Sequence, residues 1–388
     1  MRKRRKRKNT VKACLLAVLI ALQTVSGAVT VRAEAGQVQA KAAVVMDADS
    51  GRVLFEQRPD ERLPMASTTK IMTALITLEQ PGLDESFTAD EAALRVEGSS
   101  MGLRAGDTVT LRALAAGMLA ASGNDAANAA AVRIAGNIPD FVGMMNRRAE
   151  KLGLDGTHFA NPSGLDGEEH YSTARDLAVL AREALKNPDF AEMCSQPKIE
   201  AKFGAPPYLR TLKNHNKLLE MYDGAVGVKT GFTKKSGRCL VSAAERNGIT
   251  LICVTLGCPD DWNVHMALYD RYFASLCECE LTELLPEIYL PVTGSVIDRV
   301  RLCAGESVCA ALTAEEYSRV TARVYAEKFL FAPARQGDAA GYAVFLLDGE
   351  ELGRVGLNAA ETAPAATGKK SGLSVALGRI LRRLIEDR

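Results

Sequence analysis

The chain has 388 residues, 47% of them hydrophobic and 24% charged, enough for two or three domains with a full core. With 32 Gly, 14 Pro and nine Cys it is not a collagen, a disordered tail protein, a disulfide knot or a polytopic membrane protein. The formal net charge of +1 hides a strong segregation of charge along the chain.

The basic block Arg2–Lys8 is followed by the apolar run Ala13–Leu22 and then by Val31-Arg32-Ala33. Basic start, short apolar stretch and small-residue exit predict a signal peptide over residues 1–33, cleaved after Ala33. The apolar run is short for a transmembrane helix. Alone, the basic block would suggest nucleic-acid binding, but the apolar run directly behind it favours export. Residues 1–33 hold nine basic residues and no acid, leaving 39 basic against 47 acidic. Residues 369–388 carry six basic and two acidic residues, so the body between is 33 against 45, a net of −12. An acidic exported body argues against nucleic acid as a partner.

Ala43–Met46 and Val53–Phe55, separated by Asp49-Ser50-Gly51, predict a β-hairpin. Helical spacing of Ile71, Met72, Leu75 and Ile76 predicts a helix from Thr68 to Leu78. Residues 108–135 are Ala-rich and helical with a local loop at Gly123, and Ser172–Leu185 is an amphipathic helix capped by Ser172 or Thr173. Strands follow at Gly224–Lys229, Cys239–Ala244 and Thr250–Leu256, the last two joined by Asn247-Gly248, a strong hairpin signal. A helix is expected around Trp262–Phe273. Short β-like runs between Leu281 and Leu357 predict a small all-β domain, with an Ala/Thr/Pro linker after it. In the tail, Leu373, Leu377, Ile380, Leu381, Leu384 and Ile385 fall on one helical face, with Arg379, Arg382 and Arg383 beside it.

Eight cysteines follow residue 33: Cys194, Cys239, Cys253, Cys258, Cys277, Cys279, Cys303 and Cys309. Export permits disulfides, but a chain of this length does not need them, and the spacings are not those of a zinc site. The four histidines, His158, His170, His215 and His265, are scattered, which suits structural or surface positions.

Three short motifs carry chemistry. Ser67-Thr68-Thr69-Lys70 opens the first helix, so the lysine amine lies one turn from the serine hydroxyl and can take its proton. The helix N-terminus also favours negative charge developing nearby. A chain this long holds about one Ser-x-x-Lys by chance. Indeed Ser195-Gln196-Pro197-Lys198 is a second, but Pro197 breaks helical continuity there. Ser122-Gly123-Asn124 alone would be a cap or a turn. Lys229-Thr230-Gly231 ends a predicted strand; it is not a phosphate loop, because Val228 stands where that motif needs Gly.

In this order, behind a signal peptide, the three motifs are those of penicillin-binding proteins and class A β-lactamases. The chain resembles the low-molecular-mass D-alanyl-D-alanine carboxypeptidases, serine peptidases that trim cell-wall precursor peptides. The likeness extends through Leu63–Ala74, Gly98–Leu103, Thr157–Leu165, His170–Ala174, Asn214–Leu219 and Asp223–Thr233, and covers residues 40–275 most strongly.

The resemblance implies an α+β fold, an antiparallel sheet flanked by helices with an inserted helical cluster, over residues 34–278. After it come an all-β domain at 279–358, a linker at 359–370 and an amphipathic tail at 371–388. It implies a substrate, the peptidoglycan stem peptide ending in D-Ala-D-Ala, and β-lactams as covalent inhibitors. Ser67 would be the acyl-ester nucleophile and Lys70 its base, with a pKa lowered by burial and by Lys229. Ser122 would relay the proton and Asn124 position substrate and lysine. Lys229, Thr230 and Gly231 would line the substrate site, Lys229 and Thr230 holding the terminal carboxylate. The backbone N–H groups of Ser67 and Phe232 would form the oxyanion hole. Lys217 would lie near the site. No metal or organic cofactor is implied. The tail would lie on the outer face of the cytoplasmic membrane, its alternative being to pack on the β domain.

Two other activities share these motifs. A class A β-lactamase needs a carboxylate that hydrolyses the acyl ester, in a Glu-x-x-Leu-Asn segment; here Glu183-Ala184-Leu185-Lys186-Asn187 is superficially close, but Lys186 replaces the leucine and Pro188 follows. A non-catalytic wall-binding or β-lactam-sensing protein would keep the fold without the turnover.

Overall fold

The computed structural model describes residues 36–366. The expected signal peptide and the amphipathic tail lie outside the described residues.

The chain enters through the hairpin β1 (Ala42–Asp47) and β2 (Val53–Gln57). Two short strands, β3 (Phe87–Thr88) and β4 (Thr108–Val109), join the hairpin β5 (Lys198–Gly204) and β6 (Pro207–Lys213) in a small sheet. β7 (Ala225–Thr233), β8 (Gly237–Arg246) and β9 (Ile249–Leu256) complete a five-stranded antiparallel sheet in the order β2-β1-β9-β8-β7. Asn247 and Gly248 both take positive φ, 52° and 80°, as a tight hairpin turn requires. β1 is buried along its whole length, which fits its continuous apolar run Ala42–Met46.

The two faces of this sheet bury different things. Ala42, Val44 and Met46 join the main core with α1 (Lys70–Leu78), α2 (Leu111–Leu119), α3 (Asn124–Ala135), α4 (Ile138–Lys151), α5 (Ala174–Leu185) and α6 (Pro188–Ser195). On the other face, α7 (Asp261–Phe273) inserts His265 between Ser242 Oγ (2.6 Å) and Thr255 Oγ1 (2.9 Å). α1 is buried at all nine positions, so it is the central helix of the cluster. Its polar residues are satisfied internally: Thr73 donates to the Pro162 carbonyl and Thr77 to that of Thr73.

Caps explain where helices begin. Thr173 accepts from Asp176 N at the start of α5, and Asn137 and Asn187 do the same for α4 and α6, each followed by an early proline. α4, α6 and the β5–β6 hairpin are elements beyond those expected from the apolar pattern.

The C-terminal part begins with β10 (Cys277–Glu280), paired with β13 (Cys309–Leu312), and builds a six-stranded sheet from β11 (Ile288–Thr293), β12 (Arg299–Ala304), β14 (Thr321–Ala326), β15 (Leu330–Phe331), β16 (Ala339–Leu347) and β17 (Glu350–Ala359). One helical turn, Ala314–Arg319, sits among the strands, fixed by a capping box between Thr313 and Glu316. Leu290, Leu302, Leu312, Phe345 and Leu357 fill its core. It is fastened to the first sheet by Arg52, which donates to Glu316 Oε1 (2.7 Å) and the Ala311 carbonyl (2.8 Å), and by Asp47, which accepts from Ala311 N (3.2 Å). Residues 359–366, expected within a linker, stay against this sheet: Ala363 is buried and bridges to Ala334, and Ala365 bridges to Ser295.

Candidate active site

Ser67 lies in a 3-10 turn, Ala66–Thr69, that leads directly into α1. The chain enters this turn through Ala66 at φ 49°, a left-handed conformation that costs free energy in a residue with a Cβ. Side chains pin the turn: Thr68 Oγ1 donates to the Met65 carbonyl (2.7 Å) and Thr69 Oγ1 to that of Ala66 (2.8 Å). His170 supports it from below. Its Nδ1 accepts from Ala160 N (3.0 Å), so Nε2 carries the proton and donates to Thr69 Oγ1 (2.8 Å). Burial above all, then the neighbouring His158, pushes the His170 imidazole down to about 4, keeping it neutral.

Two glycines let other segments close on the turn. A Cβ on Gly231 would sit 3.0 Å from both the Met65 carbonyl oxygen and Ser67 N. One on Gly164 would run into the Ala66 carbonyl and come within 2.9 Å of Ser67 N. Gly164 also takes φ +88°, so a side chain there is disfavoured twice over.

Lys70 is fully buried. Its Nζ is 2.9 Å from Ser67 Oγ, 2.7 Å from Asn124 Oδ1 and 2.5 Å from the Ser163 carbonyl. Asn124 is oriented by the donation of its Nδ2 to the Glu97 carbonyl (2.6 Å), which turns Oδ1 toward the lysine. Desolvation, followed by the positive charge of Lys229, drives the Lys70 amine well below the ordinary lysine range, against a smaller opposing pull from Asp125.

Loops set these partners. Asn161 Oδ1 accepts from the backbone N–H of Ser163 (3.2 Å), Gly164 (2.7 Å) and Leu165 (3.1 Å), curling the loop so that the Ser163 carbonyl faces Lys70. Asp125 accepts from Met101 N, Gly102 N, Leu103 N and Ser100 Oγ, which fixes the segment carrying the Glu97 and Ser99 carbonyls against Asn124. The motifs alone do not single out Asn161, Ser163 or Asp125, although Asn161 and Ser163 lie in a family-like segment; His170, expected to be structural or at the surface, is structural and supports the Ser67 turn. The residue-level signal was the Asn-x-Ser-Gly turn.

Lys229, 1% exposed, lies inside β7; the strand runs on through Thr233 rather than ending at the motif. Lys229 Nζ donates to the Thr230 carbonyl (2.9 Å), and burial brings its pKa down to about 7. Phe232 is 67% exposed on the same strand. Ser122 is buried at φ 56° in the turn between α2 and α3, and its hydroxyl makes no hydrogen bond among the described residues. His215 N donates to the Ala120 carbonyl (3.3 Å), two residues before Ser122, and partial burial, then the charges of Lys229 and Lys70, lower its imidazole. Glu183 is engaged elsewhere, with Lys186 (3.0 Å) and Arg148 (3.3 Å), and Asn187 is a helix cap. A separate hollow of about 490 Å³ beside Arg112 and Lys202 contains none of these residues.

A serine hydroxyl and a desolvated lysine amine one turn apart, beneath a sheet edge, define an enzyme of the serine acyl-transfer class. Comparison with known proteins narrows the class. Residues 28–260 match the D-alanyl-D-alanine carboxypeptidase family, and residues 289–365 match the penicillin-binding protein 5 C-terminal domain. The chain is 31% identical over 340 residues to D-alanyl-D-alanine carboxypeptidase DacF of Bacillus subtilis, covering 81% of this chain and 83% of that protein. It is 34% identical to DacC of Escherichia coli, covering 82% and 83%. Among solved structures, penicillin-binding protein 5 of Haemophilus influenzae superposes with a TM-score of 0.70 at 30% identity, over 85% of this chain and 98% of that one. The chain belongs to the D-alanyl-D-alanine carboxypeptidase family of serine peptidases.

Proposed function

We propose that the protein is exported and removes the terminal D-alanine from peptidoglycan stem peptides ending in D-Ala-D-Ala, through an acyl-enzyme on Ser67. The observation that carries this reading is the set of contacts around Lys70. A neutral amine has two N–H donors and one lone pair. Asn124 Oδ1 and the Ser163 carbonyl, both acceptors, take the two donors, which leaves the lone pair for the Ser67 O–H. Desolvation supplies the neutral amine that this arrangement needs.

In the proposed reaction Ser67 Oγ attacks the carbonyl carbon of the penultimate D-alanine while its proton passes to Lys70. The oxyanion is stabilised by the N–H groups of Ser67 and Phe232, each such donor worth roughly 3 kcal/mol. Ser122 passes the proton to the leaving amine, the C–N bond breaks and D-alanine departs. Water then attacks the ester, giving up a proton to Lys70, and Ser67 is restored. Lys229 and Thr230 hold the terminal carboxylate, which in turn favours the charged form of Lys229. A β-lactam, whose amide mimics the scissile bond, acylates the same hydroxyl. Glu183 is committed to surface ion pairs, which disfavours a class A β-lactamase. Release of D-alanine from a pentapeptide tests the reading and separates a peptidase from a sensor.

We further propose that residues 1–33 direct export and that residues 371–388 attach the enzyme to the outer face of the cytoplasmic membrane. Among the described residues no helix is long and apolar enough to cross a membrane. Truncation after residue 368 should release the protein from membranes; unchanged partition would refute the attachment.

A further inference from the structure

We infer that one end of the C-terminal β domain is itself a lipid-contacting tip, formed by Val296, Phe329 and Phe331. This rests on the proposed membrane attachment and extends it to the folded domain.

These side chains are exposed where a soluble domain would bury them: Val296 by 70%, Phe331 by 65% and Phe329 by 36%. The two phenylalanine rings meet edge to face, with centroids 5.0 Å apart. The backbone brings all three to one place. β15, which carries Phe331, pairs with Val292 and Thr293 of β11, and Ala332 N donates to the Thr293 carbonyl (2.9 Å). The turn that follows β11 holds Val296 between Ser295 and Ile297, and Ile297 N donates to Ser295 Oγ (3.0 Å). Two further exposed aromatics, Tyr325 of β14 and Tyr342 of β16, stack on each other across paired strands, with centroids 5.0 Å apart.

The chain also leaves the described fold at this end. Ala365 bridges to Ser295, Ser295 Oγ donates to the Pro364 carbonyl (2.7 Å), and Ala366 N donates to the Gly294 carbonyl (2.9 Å). The residues that follow lead to 371–388, with their apolar stripe and six basic residues from 369 onward. An anchor starting beside the 294–296 turn brings that turn to the bilayer surface, and apolar contact has to hold it there, because a body of net charge −12 gains no overall attraction to anionic lipid. Exposed phenylalanines suit the headgroup boundary, where apolar side chains find cover without a protein partner. The occupant is therefore an anionic phospholipid surface.

The test compares four forms of the chain from residue 34 onward: unaltered, V296S/F329S/F331S, truncated after residue 368, and both changes together. Each is co-sedimented with vesicles of phosphatidylethanolamine and phosphatidylglycerol. Removing three apolar contacts should weaken partition of the full-length form by about tenfold or more, with D-alanine release from a soluble pentapeptide unchanged. A Phe331→Trp form should show a blue-shifted difference emission, against the Trp262 background, only when vesicles are added. Equal partition of the triple variant and the unaltered chain would overturn the tip. So would a blue shift already present without vesicles, which would mean that the tail or a second copy covers the cluster. Unchanged partition on truncation alone would instead refute the tail anchor, so the two failures are distinguishable.

Discussion

The amine of Lys70 lies 2.9 Å from the hydroxyl of Ser67, and its other two partners, Asn124 Oδ1 and the Ser163 carbonyl, can only accept. Replacing Lys70 with Met keeps the length of the side chain and removes the base. Acylation by labelled penicillin should then slow by roughly a thousandfold or more, within the range for loss of general-base assistance. In the unaltered protein the mass should be added at Ser67 and nowhere else. Rapid labelling of the Lys70→Met form would contradict the role given to the lysine.

Asn124→Asp places a carboxylate where a neutral amide oxygen now sits 2.7 Å from Lys70 Nζ. An opposite charge at that distance stabilises the ammonium, so the Lys70 pKa rises and the acidic limb of kcat/KM moves to higher pH. Activity near neutral pH should fall by tenfold or more and partly recover in alkali. An unshifted limb would mean that Asn124 acts only on substrate.

Much of this was legible in sequence because the motifs sit on strongly periodic elements. Ile71, Met72, Leu75 and Ile76 define α1, the 3-10 turn leading into it makes Ser67 and Lys70 neighbours, and Asn247-Gly248 defines the β8–β9 hairpin. What escaped was geometry created by backbone groups. The Ser163 carbonyl reaches Lys70 only because Asn161 curls its loop and Gly164 lacks a Cβ. No spacing rule links position 163 to position 70. α4 escaped for another reason: its apolar face is narrow, with only Phe141, Met145 and Ala149 buried. The Asn137 cap and the proline after it were the better signal. The motif lysine was expected at the end of its strand, yet β7 continues to Thr233 because Gly231 allows the strand to pass close to Ser67.

Lys229 should shape the alkaline side of the pH profile. Burial sets its pKa at about 7 in the free enzyme, so its charge fades as pH rises through that value. Binding of a substrate carboxylate should weaken accordingly, with KM for the pentapeptide increasing above about pH 7. Lys229→Met should show high KM and no such alkaline rise. A wild-type KM independent of pH would contradict carboxylate binding by Lys229.

Two buried histidines should make the fold sensitive to acid. Burial lowers His170 to about 4 and His265 to about 3, while in the unfolded chain both titrate near 6.5. Below pH 6.5 the unfolded state binds more protons, so their stabilising contribution is complete above that pH and is lost on acidification toward 4 and 3. His170 alone accounts for roughly 3 kcal/mol of this loss. Asp176 and Asp261, whose pKa values are raised chiefly by burial, oppose it. Comparison with His170→Asn isolates the effect. The stability advantage of wild type measured by urea unfolding at pH 7 should shrink at pH 4.5, and a constant difference would refute it.

Release of D-alanine from a pentapeptide ending in D-Ala-D-Ala, followed in parallel with the Ser67→Ala form, tests the account most directly. Wild type should liberate one D-alanine per peptide, leaving a tetrapeptide, and Ser67→Ala should liberate none above the buffer rate. Retention of D-alanine release by Ser67→Ala, or its absence in a folded wild-type protein that penicillin still labels at Ser67, would contradict the account.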